Sequence, residues 1–302
     1  MKLKRLFAIA FAGVFLLGAC SQETKELNYE KTDKDIDHIH GAGFSGDSLY
    51  IATHTGIMKH NGQNWYAATG NNHDYMGFSM IKDGFYSSGH PEEGSNLKNP
   101  LGLIKSTDEG KTLDQLAFYG ESDFHYLTAG YNSKAIYVIN QEPNSELETG
   151  MYYTLDEGKT WESSKFTGIE SDSIGNISAH PKKEEIISVS TKDGLYLSKD
   201  NGTNFELITD SFMVPTVFML NDTILYSALD DKGIHLYSQS ITDSSTTEIT
   251  IPDLGDNNPI MFIAANHENP EQIAIITYAN DIFTTDDGGK NWANIAEEGK
   301  LN

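Results

Sequence analysis

The chain predicts an all-β fold, a six-bladed β-propeller with four-stranded antiparallel blades, and three observations carry that prediction. A turn motif, (Ser/Thr)-x-Asp-x-Gly, recurs four times, with its Asp at 108, 156, 200 and 286. The spacings are 48, 44 and 86 residues, the last being two periods of 43. Four short alternating or β-branched runs fill each period, and no stretch sustains a helical period. Repeats of about 40 to 50 residues with four strands each are the pattern of propeller blades.

Each turn follows from its residues. Ser106-Thr107-Asp108-Glu109-Gly110, Thr154-Leu155-Asp156-Glu157-Gly158, Ser198-Lys199-Asp200-Asn201-Gly202 and Thr284-Thr285-Asp286-Asp287-Gly288 all lie between two β-like runs. An Asp so placed accepts hydrogen bonds from the N–H groups just ahead of it, and Gly takes the positive φ the turn requires. The turn-forming residues are therefore Asp108, Gly110, Asp156, Gly158, Asp200, Gly202, Asp286 and Gly288. Three copies run on into an aromatic residue, Trp161, Phe205 or Trp292, which anchors the next strand by packing.

Two degenerate copies complete the count. Lys59-His60-Asn61-Gly62-Gln63-Asn64-Trp65, one period before Asp108, keeps the Gly and Trp but not the Asp. Between Asp200 and Asp286, the strand-like Ile234–Ser238 leads into Gln239-Ser240-Ile241-Thr242-Asp243. The blades are expected at 36–70, 71–119, 120–168, 169–210, 211–252 and 253–300. In the fourth, the strands fall at Ile174–Ala179, Glu185–Ser190, Leu195–Ser198 and Asn204–Ile208.

Residues 1–20 stand apart from the repeat. Lys2, Lys4 and Arg5 precede an apolar run from Leu6 to Ala19, too short to span a bilayer comfortably. It ends in Leu17-Gly18-Ala19-Cys20, with the only Cys of the 302 residues. Residues 21–35 are polar, as in a tether, and residues 36–302 hold the propeller. Removing residues 1–20 takes away three basic residues and no acidic ones, moving the net charge from −23 to −26. Such a surface repels nucleic acid. Arg5 is the only Arg, so the chain beyond residue 20 has none.

Propeller geometry sorts the loops onto two faces. The motif turns share one face with His60, His180 and His267, while His235 falls within a strand. The other face receives six of the ten histidines, all from blades 1 to 3: His38, His40, His54, His73, His90 and His125. Asp37, Asp74 and Asp123 accompany them. His38 and His40 are two apart, so on a strand they point to one side. Imidazoles with carboxylates to orient them suit a divalent transition metal, Zn, Cu or Fe, and His38, His40 and His125 are the expected ligands. A nearby Asp also equips a His to act as a general base. The long inserts 89–99 and 140–150 flank this half of the ring, where binding loops are expected.

Two resemblances add to these readings. Leu17-Gly18-Ala19-Cys20 resembles the lipobox of bacterial lipoproteins, which implies lipidation at Cys20 and a place on the outer side of a membrane. The repeats resemble the Asp-boxes, or BNR repeats, of sialidases, sortilin-type receptors and many bacterial exported propellers. With its His-Ile-His-Gly opening, the chain looks most like bacterial propeller lipoproteins commonly labelled glycosyl hydrolases. Sialidases are similar in clamping the substrate carboxylate with three Arg, and no Lys supplies that bidentate fork, so sialidase activity is excluded. Photosystem assembly propellers share the repeat but carry basic patches that are missing here.

Three functions remain open at this level. One is a membrane-anchored module binding a metal, glycan or exported protein at the His/Asp cluster. A second is a non-sialidase glycosidase using two of the carboxylates Asp37, Asp74, Glu92, Glu93, Asp123, Glu142, Asp172 and Asp256. The third is a scaffold for an exported or membrane partner.

Overall fold

Six antiparallel sheets, each built from consecutive strands, follow one another along the chain. The computed structural model describes residues 29–209, 212–255 and 257–302, so Cys20, Asp256 and most of the expected tether lie outside the described residues. The innermost strands of the six blades are Ile39–Ser45, Asp74–Ile81, Tyr126–Ala129, Ile174–Ala179, Val217–Met219 and Ile260–Ala265. Each packs against the next, and Ile260–Ala265 returns to Ile39–Ser45, which closes the ring. In the fourth blade the strands are Ile174–Ala179, Ile187–Thr191, Gly194–Ser198 and Glu206–Leu207, within two residues of the expected ends.

Two sheets carry a fifth strand. Lys300–Leu301 extends the last blade, and Tyr29–Lys31 pairs with Trp65–Ala68 on the outside of the first. The stretch expected as a tether therefore joins the fold from Tyr29. The reason is local: the Tyr29 ring packs edge-on against Tyr50, and its hydroxyl donates to the Glu109 carbonyl at 3.0 Å.

Among the described residues no strand is exchanged between the first and last blades, and packing together with two hydrogen bonds closes the ring. Ile39, Ile51 and Trp65 share one buried cluster with Ile276, Ile282 and Ile295. The Trp65 indole N–H donates to the Ile295 carbonyl at 3.0 Å, and the Ile36 amide to Gly299 at 2.8 Å.

The turns show why the motif has its residues. In the second blade, the Ser106 hydroxyl donates to Asp108 Oδ1 (3.0 Å) and accepts the Gly110 amide (2.8 Å), while the Thr112 amide donates to Asp108 Oδ1 (2.8 Å). Asp156 and Asp200 repeat this arrangement. The fourth copy is corrected by one residue: Thr285, Asp287 and Gly289 form the turn, not Asp286 and Gly288. Two adjacent Asp and two adjacent Gly fit the motif in two registers. Only the later one places the aromatic five residues after the Asp, as at Trp161 and Phe205. Asp286 instead accepts from Gln272 Nε2 at 3.1 Å.

The residue between Asp and Gly has a second task. Glu109, Glu157 and Asn201 adopt left-handed backbone, with φ of 59°, 63° and 56°, and reach the preceding blade. Glu157 accepts from Tyr86 Oη (2.9 Å) and Lys105 Nζ (2.6 Å), Glu109 from Lys59 Nζ (3.2 Å), and Asn201 from Tyr137 Oη (3.1 Å). These contacts clamp blades 1 to 4 along the turn face.

The turns also confer acid sensitivity. The Thr160 amide and neighbouring hydroxyls hold Asp156 at about 2, and the Asn291 side chain and amide do the same for Asp287. Both lie below the ordinary 3.8, so their contribution is intact above about pH 4 and is lost as pH falls towards 2. Thermal melts are expected to fall across that window, and by less in Asp156→Asn, which has no carboxylate to protonate.

Candidate functional site

The innermost strands surround a channel of about 230 Å³. His40 and His125 line it near the face opposite the turns. Towards the other face, the His267 ring sits between Tyr131 and Phe218, with centroids 4.3 and 5.2 Å away. Burial, and secondarily His180, brings His267 down to about 4, so this histidine is neutral at physiological pH.

A β-bulge sets the mouth. Ile39 pairs with Thr53 and Gly41 with Ala52, which leaves His40 as the extra residue. Bulges bend a strand and re-aim the side chain at the bulge. His38 lies just before the strand, and His54 sits at the tip of the next hairpin, between Thr53 and Gly56. The three rings converge, with centroids 5.0 Å (His38–His40), 4.9 Å (His38–His54) and 4.5 Å (His40–His54) apart. One nitrogen from each lies within 4.8 Å of the other two.

Asp74, the first residue of the second blade's inner strand, faces this trio. Its Oδ1 is 3.4 Å from His40 Nε2 and its Oδ2 is 3.7 Å from His54 Nδ1. His40 Nε2 and Asp74 Oδ1 are both buried, and neither makes a hydrogen bond. Burial, then the neighbours His54, His38 and His125, brings His40 down to about 4. It is therefore a neutral imidazole with a lone pair to offer. Burial also pushes the Asp74 carboxyl up, against the opposing pull of His54 and His90.

A second group adjoins the first. Asp74 stands directly opposite His90 in the ladder between the first two strands of blade 2. His90 Nε2 is 3.1 Å from Asp123 Oδ2, and His125 Nδ1 is 3.5 Å from the same oxygen. The segment carrying Asp123 and His125 is braced, since the Phe124 amide donates to Ser88 Oγ at 2.9 Å and Asn144 Nδ2 to Ser122 Oγ at 2.8 Å. The long insert 140–150 thus buttresses the rim.

Seven of the nine expected site residues are brought together: His38, His40, His54, Asp74, His90, Asp123 and His125. Asp37 and His73 make local structural contacts, though Asp37 still lies near enough to act electrostatically on His40 and Asp74. Asp37 Oδ1 accepts the His38 amide at 2.6 Å, and the Asp37 carbonyl accepts from Asn280 Nδ2 at 2.5 Å. His73 is fully buried, and its Nδ1 accepts the Glu92 amide at 2.9 Å, fixing the loop that follows His90. Of the three residues expected as metal ligands, His38 and His40 lie together with His54, while His125 lies 3.5 Å from Asp123. Sequence reasoning missed Asn99, whose Oδ1 is 2.6 Å from His90 Nδ1. It lies within an insert noted only for its length.

Comparison with known proteins places the fold. A model of the Sortilin-Vps10 family, described as sortilin, neurotensin receptor 3, matches residues 102–249. No curated protein matches the chain. Among solved structures, the chain is similar to the GH74 enzyme of Niastella koreensis, with 17% identity and a TM-score of 0.58 over 89% of this chain and 47% of that one. The GH74 xyloglucanase of Xanthomonas campestris gives 14% and 0.55 over 90% and 47%. YCF48 from Cyanidioschyzon merolae gives 12% and 0.52 over 91% and 90%. The chain spans about half the length of the two GH74 enzymes. At these identities the likeness is one of fold, a β-propeller.

Proposed function

We propose that the protein is an extracytoplasmic propeller, anchored through a lipid on Cys20, that binds a divalent transition metal at His38, His40 and His54, with Asp74 beside them. The observation that carries this reading is the pair of buried atoms His40 Nε2 and Asp74 Oδ1, 3.4 Å apart at the edge of the imidazole trio and neither of them hydrogen-bonded. Buried polar atoms are almost always satisfied, and a cation between these two would satisfy both. Three imidazoles and a carboxylate suit Zn, Cu or Fe and leave room for a further ligand. The repeat's Asp-boxes fit this reading as structural turns on the opposite face.

Protein recovered from membranes without an affinity His-tag is expected to carry Zn, Cu or Fe at one equivalent or more. Stripped protein should regain stability on adding metal, by about 3 kcal/mol at a hundredfold excess over Kd. No metal and no thermal shift would overturn the assignment. The second reading is a glycoside hydrolase, favoured by two half-buried carboxylates, Asp74 and Asp123, on one rim. Metal-independent turnover of a glycoside, lost in Asp74→Asn or Asp123→Asn, would establish it. Neither metal nor turnover would leave the scaffold role.

A further inference from the structure

We infer that the histidine rim faces the membrane and docks a basic extracytoplasmic segment of a membrane protein. This rests on the reading of Cys20 as a lipid anchor and is independent of any metal at the rim. The direction of one short strand carries it. Trp65–Ala68 begins just after the turn at residues 61–64 and ends before Asp74, so it runs from the turn face towards the rim. Tyr29–Lys31 pairs with it antiparallel, Tyr29 opposite Ala68 and Lys31 opposite Tyr66. The chain therefore enters the propeller at Tyr29 from the rim side.

Length then limits orientation. Cys20 and Tyr29 are nine residues apart in sequence. A lipid on Cys20 is thus held within about 30 Å of Tyr29 whatever path the chain takes. A five-residue strand such as Gly56–His60 is about 17 Å long. With the motif turns against the bilayer, the chain would have to double back along the blade, which takes up more than half of that reach. With the rim against the bilayer, no reversal is needed.

The surface so presented suits protein rather than lipid. Of the five large apolar side chains left exposed among the described residues, three lie on rim loops: Leu97, Met213 and Tyr278. Tyr278 is 72% exposed, and two residues on, Asn280 Nδ2 donates to the carbonyl of Asp37, next to His38. An uncovered tyrosine thus stands beside the imidazole trio, and tyrosines are frequent anchors of protein interfaces. Glu93, Glu142 and Asp253 are exposed on the same face. These carboxylates repel anionic headgroups but attract Lys and Arg, which also stack on a tyrosine ring. The partner chemistry that fits is a segment carrying basic side chains, held at the membrane surface.

Energy transfer to a lipid-borne acceptor tests the orientation, using membrane-purified protein reconstituted in vesicles. A fluorophore on Glu93→Cys reports the rim, and one on Lys159→Cys reports the turn face. The rim label is expected to be quenched more strongly, and a flexible Gly/Ser insert between Leu27 and Asn28 should abolish the difference. Equal quenching, or stronger quenching of the turn label, overturns the orientation. Protein that does not associate with vesicles overturns the anchor reading instead. A photoreactive residue in place of Tyr278, irradiated in native membranes, tests the docking. The expected adduct is with an integral membrane protein, is lost at high salt and in Cys20→Ala, and does not form from the same probe at Leu155 on the turn face. No adduct, an adduct with lipid alone, or equal adducts from both positions overturns the docking.

Discussion

Replacing His40 and His54 together with Ala is expected to weaken Zn(II) binding by more than about 100-fold, beyond the loss usual for an outer-shell partner. The melting temperature in EDTA should fall somewhat, because His40 and His54 are the two imidazoles within ion-pair range of the half-buried Asp74 carboxylate and their loss leaves it without them. His235→Ala serves as the control, because His235 pairs with Glu248 (2.7 Å) and Asp230 (3.3 Å) on the outside of the fifth blade. Competition titration with a chromophoric chelator reads the affinities. Equal affinity in wild type and the double variant would show that the trio does not ligate.

Gly89→Ala is expected to destabilise the fold by about 3 kcal/mol or more and to impair the rim as well. Gly89 has φ of +126°, and a Cβ there would lie 1.9 Å from the Asp74 carbonyl oxygen and 2.8 Å from the Met76 amide nitrogen. Both obstacles are backbone, so the start of the second blade's inner strand must move, taking Asp74 away from His40 and His54. Denaturant melts read the stability, and metal titration of the folded fraction reads the site. Gly62→Ala, also at positive φ but with no atom within 4 Å of the added carbon, should cost only about 1 kcal/mol and leave metal binding unchanged. Similar effects from the two substitutions would refute the steric argument.

The ring was legible in the sequence because one turn chemistry recurs at a blade's length, and even the copies without Asp keep the strand before the turn. The fourth turn slipped because Asp286-Asp287-Gly288-Gly289 satisfies the pattern twice, and the distance to Trp292 was needed to choose. The gathering of histidines was legible for a related reason: loop position decides the face, and six of ten fall on one. Which imidazoles meet was not. Period-two alternation says nothing of a bulge at His40, or of the hairpin tip that carries His54 to within reach of His38 and His40. Asn99 was hidden because its partner, His90, is nine residues away across an irregular loop. Tyr29 was read as tether because its three-residue strand is defined by what it packs on, not by any pattern of its own.

The clamps between successive turns are unevenly distributed, and this divides the ring mechanically. Glu109, Glu157 and Asn201 bind blades 1 to 4 together, whereas the matching position in blade 6 is Gly288, which has no side chain, and the turn of blade 5 lacks the Asp. Breathing of the ring should therefore concentrate in its second half, with amide exchange faster there than in blades 1 to 3. The histidine rim is built wholly on the slower half. Its donors should then keep their spacing better than side chains on the other half, as a site needs if it must discriminate ions by geometry.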